Sequence, residues 1–141
     1  MRYTAPDAAS GPRRDLFRSA HVNARSLVPH FSGIKDLIAL YHLDMLAVSE
    51  TWLRDSVDSR LITIDGYRCL RADRAYGSRG GGVALYFRDL FPFSKINLPD
   101  PPPGSCTDIV AVTLSMRRRL AILVIYRPPT SPFSDFDLSH V

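Results

Sequence analysis

The sequence is poor in the residues that several functional classes require. Only two cysteines, Cys69 and Cys106, occur in 141 residues, too few for a disulfide framework and without any zinc spacing. The four histidines, His21, His30, His42 and His140, share no metal-like spacing either. No run of 18 apolar residues exists, which excludes a membrane-spanning helix. The start, Met1 to Asp7, has no apolar core of signal-peptide length. An intracellular, reducing location without a disulfide partner is the expectation, nuclear if the chain acts on DNA. Lysine is nearly missing as well. Lys35 and Lys95 stand against sixteen arginines, and the net charge is +4. Arginine pairs bidentately with phosphate, so this surface suits a nucleic-acid partner. A GC-rich genome would produce the same imbalance, so the charge supports that reading without carrying it. Scarcest of all is glutamate: Glu50 alone, beside thirteen aspartates.

What is present is globular, with 45% hydrophobic and 23% charged residues. Residues 1–14, with Pro6, Gly11, Pro12, Arg13 and Arg14, read as a flexible leader, and 15–141 as one partial domain. Leu16 to Asn23 is a weak first strand. From Pro29 to His42 the spacing turns helical, with Phe31, Ile34, Leu37, Ile38 and Tyr41 on one stripe and Pro29 suited to the first turn. Strand signals follow at 45–49, 67–72, 82–88, 93–98, 108–115 and 120–127. The run Leu120 to Ile125 is apolar at every position, which predicts a strand inside a covered sheet. Gly80-Gly81-Gly82 lacks the Lys-Ser/Thr ending of a phosphate-binding loop. It reads instead as a lead-in to a strand that needs unusual backbone angles. The order strand, helix, strand, then mostly strands, predicts an α/β layered fold with a mixed β-sheet and a flanking helix.

Glu50 closes the apolar run Met45 to Ser49, and a carboxylate at the carboxyl end of a buried strand is where α/β folds place metal ligands and catalytic groups. By base rates a lone glutamate there is a loop residue, a lone Asn23 a turn residue, and a lone Tyr126 a packed aromatic. The ordered set lowers those odds. Asn23-Ala24-Arg25-Ser26-Leu27 precedes the helix and Ser49-Glu50-Thr51-Trp52-Leu53 follows it. Then come Arg71-Ala72-Asp73-Arg74, the glycines ahead of Val83 to Tyr86, and Tyr126-Arg127-Pro128-Pro129.

That series resembles the endonuclease domain of non-LTR retrotransposons, within the endonuclease/exonuclease/phosphatase superfamily that includes apurinic endonucleases. The resemblance runs from about Leu16 to the end of the chain. It implies a four-layer α/β sandwich, of which this chain holds the first part, and a Mg²⁺-dependent phosphodiester hydrolase acting on DNA. Glu50 would be the metal ligand. Asn23 would support the metal and its network, and Tyr126 would lie near the scissile phosphate. Mg²⁺ takes one or two carboxylates plus water and phosphate oxygens, and a neutral Asn or Tyr can hydrogen-bond developing charge without repelling the substrate. Arg74, Arg79 and Arg127 are expected at the nucleic-acid-facing rim.

Family members continue to a Gly-Asp-Phe-Asn motif and then a Ser-Asp-His element. This sequence has neither, and Asp135, Asp137 and His140 lie too soon after Tyr126 to replace them. The expectation is therefore a truncated domain, catalytically incomplete alone. Two alternatives stand beside it: activity on completion by a second polypeptide, and a non-catalytic nucleic-acid-binding fragment. Truncation also predicts little more than one sheet, an uncovered apolar face, and aggregation.

Overall fold

The computed structural model describes residues 16–74 and 80–129. Seven strands and one α-helix follow one another as β1 (Ser19–Asn23), α1 (Phe31–Tyr41), β2 (Met45–Ser49), β3 (Tyr67–Ala72), β4 (Val83–Arg88), β5 (Phe93–Lys95), β6 (Asp108–Ser115) and β7 (Arg119–Tyr126). Short 3₁₀ turns occupy Val28–His30 and Ser59–Ile62. Pro29 sits in the first of them, so α1 begins two residues later than the sequence suggests. The helix ends because His42 takes the left-handed conformation. Its N–H reaches the Ala39 carbonyl and that of Leu43 the Ile38 carbonyl, the paired bonds of a Schellman motif. Ile34 and Ile38 are its buried face, whereas Tyr41, on the predicted stripe, is left exposed.

The strands form two sheets. The first has the order β1-β2-β4-β3, with β1 and β2 parallel and the other pairs antiparallel. The second, β5-β6-β7, is wholly antiparallel. The sequence reading put 45–49, 82–88, 108–115 and 120–127 in one mixed sheet, and the structure divides them. Strand β4 already has β2 on one side and β3 on the other, so both its edges are paired. The proline-rich segment Pro99–Gly104 precedes β6, which opens a new layer.

Layering explains the uninterrupted apolar run in β4. Ala84 and Tyr86 point toward α1 and join Leu27, Ile34, Ile38, Leu46, Val48 and Ile62 in one core. Val83, Leu85 and Phe87 point the other way, against Val110, Val112, Leu114, Ile122 and Val124 of the second sheet. Each such side chain contributes about 1.5–3 kcal/mol by leaving water. The Tyr86 hydroxyl donates to the Ile62 carbonyl at 2.8 Å, so even this buried phenol has its partner. The result is a helix, a mixed sheet and a second sheet in three successive layers, an α/β sandwich.

Strand β7 departs from expectation. Ile122 and Val124 face the core, but Leu123 and Ile125 on the opposite face are 38% and 41% exposed, and the strand is an edge of its sheet. Its outward residues therefore lie on an uncovered face. The expectation of little more than one sheet also fails, since two sheets pack on a shared core.

Candidate active site

Strand directions gather the chemistry at one edge of the sandwich. Asn23 ends β1 in register with Ser49 at the end of β2, and Ser49 faces Val83 at the start of β4. Across the layers, Asp108 at the start of β6 pairs with Tyr126 at the end of β7.

Past β2 the backbone turns sharply. Glu50 and Trp52 have φ of 51° and 55°, a left-handed conformation costly for residues with a side chain. Neighbouring loops hold it there. Ser26 and Leu27 donate to the carbonyls of Glu50 and Thr51 at 2.9 and 2.8 Å, and Thr51 and Trp52 donate to those of Gly82 and Gly81 at 3.2 and 3.0 Å. All three of Gly80, Gly81 and Gly82 have positive φ, as the sequence suggested. Close approach adds to this: a Cβ on Gly82 would lie 2.5 Å from the Thr51 hydroxyl, and one on Gly81 2.2 Å from the Arg74 guanidinium carbon.

The resulting geometry joins the two sheets. The Tyr126 hydroxyl donates a short hydrogen bond to Glu50 Oε1, although 76 residues separate them. Partial burial, then the bond to Glu50 and that carboxylate's charge, push the Tyr126 phenol above its ordinary value, while Arg74 opposes the shift. The phenol therefore remains a protonated donor at neutral pH. Asn23 stands on the same edge one strand away, exposed, with its Oδ1 accepting from the Arg25 N–H at 3.2 Å.

Beneath this pair is an ion pair the sequence did not reveal. Arg74 meets Asp108 at 2.8 Å, with side chains 11% and 8% exposed. Arg74 also donates to the Cys106 carbonyl at 2.9 Å and stacks its guanidinium 5.5 Å from the centre of the Tyr126 ring. Asp108 accepts the Gly82 N–H at 2.9 Å. Arg74, expected at the rim, is thus turned inward and engaged. Arg127 is half-buried, and Arg79 lies outside the described residues. The one sequence signal for Asp108 was an aspartate opening an otherwise apolar strand.

Among the described residues no three His, Cys, Asp or Glu side chains gather as a metal cluster. A hard cation that needs one carboxylate, with water and phosphate completing its shell, fits Glu50.

A sequence model described as the endonuclease/exonuclease/phosphatase family matches residues 18–137. No curated protein matches the chain. Among solved structures, an AP endonuclease from Leishmania major superposes with a TM-score of 0.61 at 18% identity, over 78% of this chain and 40% of that one. The human Nocturnin catalytic domain, with a bound sulfate anion, gives 0.57 at 18% identity, over 77% and 48%. A Neisseria 3′ phosphatase, NExo, bound to a product DNA hairpin, gives 0.51 at 23% identity, over 75% and 40%. The chain spans less than half the length of each of these structures, and the likeness is one of fold.

Proposed function

The chain belongs to the endonuclease/exonuclease/phosphatase family, and from that premise we propose that it forms the first part of a Mg²⁺-dependent DNA endonuclease of the non-LTR retrotransposon kind. The observation that carries this reading is the Tyr126–Glu50 hydrogen bond between the carboxyl ends of strands from two different sheets. Glu50 would hold the cation, which when bound polarises a phosphoryl oxygen and offsets growing charge. Tyr126 keeps its proton, which would turn from Glu50 to a phosphate oxygen once a cation occupies the carboxylate. Asn23 presents a neutral amide on the same edge, which attracts no competing charge. The short left-handed turn at Glu50 holds the carboxylate rigidly, so little ordering remains at the moment of reaction.

The sequence has neither the Gly-Asp-Phe-Asn nor the Ser-Asp-His element, which in the family supply a carboxylate that orients the attacking water and a histidine that completes the site. Losing one such group typically lowers rate by about 10²–10⁴-fold. We therefore expect the purified chain to leave supercoiled plasmid intact in Mg²⁺, with Glu50→Ala indistinguishable from it. Addition of a polypeptide carrying the Gly-Asp-Phe-Asn and Ser-Asp-His elements should produce nicking that requires both Mg²⁺ and Glu50. Mg²⁺-dependent nicking by the chain alone would refute the incomplete-site reading. A completed protein that never nicks, yet holds DNA in EDTA with affinity falling steeply in salt, would favour a non-catalytic binding fragment, the reading supported by the sixteen arginines.

A further inference from the structure

Trp52 is the one tryptophan of the chain, and the fold presents it outward. Its neighbours Thr51 and Leu53 are 1% and 2% exposed, whereas Trp52 is 47% exposed. Its backbone is left-handed, with φ of 55°, and is tied by its N–H to the Gly81 carbonyl. Gly80 lies close against the indole, where a Cβ would stand 3.4 Å from Nε1. Gly80 therefore lies beside the polar edge of the indole, and about half of the residue's surface remains exposed. Packing alone does not account for this placement, because a large aromatic gains most when water is excluded from both faces. Costly backbone angles at Glu50 and Trp52 together, held by bonds from two neighbouring loops, mark a functional surface more than a structural one.

The surroundings indicate what that surface takes. Arg54, two residues on, and Arg25, whose neighbour Ser26 donates to the Glu50 carbonyl, are both exposed. Residues two apart in the chain lie within roughly 7 Å, about two nucleotides of axial rise along a strand. A flat π surface beside guanidinium groups matches a strand of nucleic acid, whose bases stack and whose phosphates pair with arginine. We propose that Trp52 is a stacking platform for a nucleobase flanking the phosphate bound at Glu50. The ligand is then a nucleic-acid strand with an unpaired or splayed base, not a base-free phosphate ester. The phosphodiesterase reading enters only in locating that phosphate.

The test needs no cleavage. Emission of the full chain in Mg²⁺ and low salt, excited at the red edge of the indole band where the six tyrosines do not absorb, reports only Trp52. A single-stranded oligonucleotide should quench it, and an abasic strand of equal length should not. Trp52→Ala should weaken binding by roughly 5- to 150-fold, measured by anisotropy of a labelled strand, and Trp52→Tyr should restore most of the loss. Circular dichroism of each variant checks that the fold is kept. Unchanged emission on saturation, equal quenching by the abasic strand, equal affinity of Trp52→Ala, or no binding of any strand would each overturn the proposal. Failure of the hydrolase reading would show separately, as a completed protein that binds and quenches but never cuts.

Discussion

The ion pair between Arg74 and Asp108 is the most buried one among the described residues, and Asp108→Asn tests what it contributes. Both side chains are about nine-tenths buried, and the same carboxylate oxygen also takes the Gly82 N–H. Asparagine can still accept from Gly82, so the loss falls mainly on the guanidinium, which would remain charged and buried without its counter-ion. Removing one member of a buried pair costs about 3–5 kcal/mol, and the retained acceptor sets the expectation at the lower end, about 3 kcal/mol. With a urea slope of about 1–3 kcal/mol/M for a domain of this size, the unfolding midpoint should fall by about 1–3 M at constant slope. Arg74→Met should cost a similar amount. The double variant should recover about 1–3 kcal/mol relative to the sum, because neither buried charge is then left alone. Single variants that each cost under about 1 kcal/mol and add would refute the reasoning, since they would behave as an exposed, solvent-screened pair.

Three further outcomes follow from the same geometry. Burial, the largest cause, pushes the Cys69 thiol up to about 11 from an ordinary value of 9.0, which lowers its thiolate fraction at pH 8 about a hundredfold. Iodoacetamide should therefore modify exposed Cys106 promptly and Cys69 only on unfolding, and equal rates by peptide mass mapping would contradict this. The Tyr126 phenol titrates above its ordinary value of 10.0, so its contribution is fully present below pH 10 and is lost as pH rises through the raised value. Stability should fall above about pH 8, first from Cys69 and then from the raised tyrosines, and the fall beyond pH 10 should be less steep in Tyr126→Phe; an equal slope there would argue against a protonated donor to Glu50. The exposed apolar face of β7 should bind ANS and promote association at rising concentration. Leu123→Lys should reduce both in sedimentation and dye assays, and an unchanged profile would move the sticky surface elsewhere.

Element positions were largely legible in the sequence, because the change from helical spacing before His42 to strand runs after Asp44 reflects a real change of local structure. The placement of Glu50 and Tyr126 at one edge of the sandwich was legible for a related reason: each is a polar group ending an apolar run, and runs end at sheet edges. The partition into two sheets was not, because a strand buried on both faces reads the same whichever neighbours cover it. Strand β7 shows the converse, its run Leu120 to Ile125 being apolar at every position yet half-exposed. Arg74 and Asp108 lie 34 residues apart and carry no local signature of pairing. Arginine after Asp73 looked like a rim residue because position on a loop says nothing about which way a side chain turns.

The 76-residue separation between Glu50 and Tyr126 also bears on the order of events when the chain folds. The turn joining β6 to β7 closes a short loop. The Arg74–Asp108 link closes 34 residues, and the Tyr126–Glu50 link costs roughly 0.7 kcal/mol more in closure entropy than that. Local hairpins and the β1-α1-β2 unit can therefore form first, and the clasp between sheets closes last. Tyr126→Phe should then hasten unfolding while leaving the refolding rate nearly unchanged, the kinetic mark of a contact absent from the transition state.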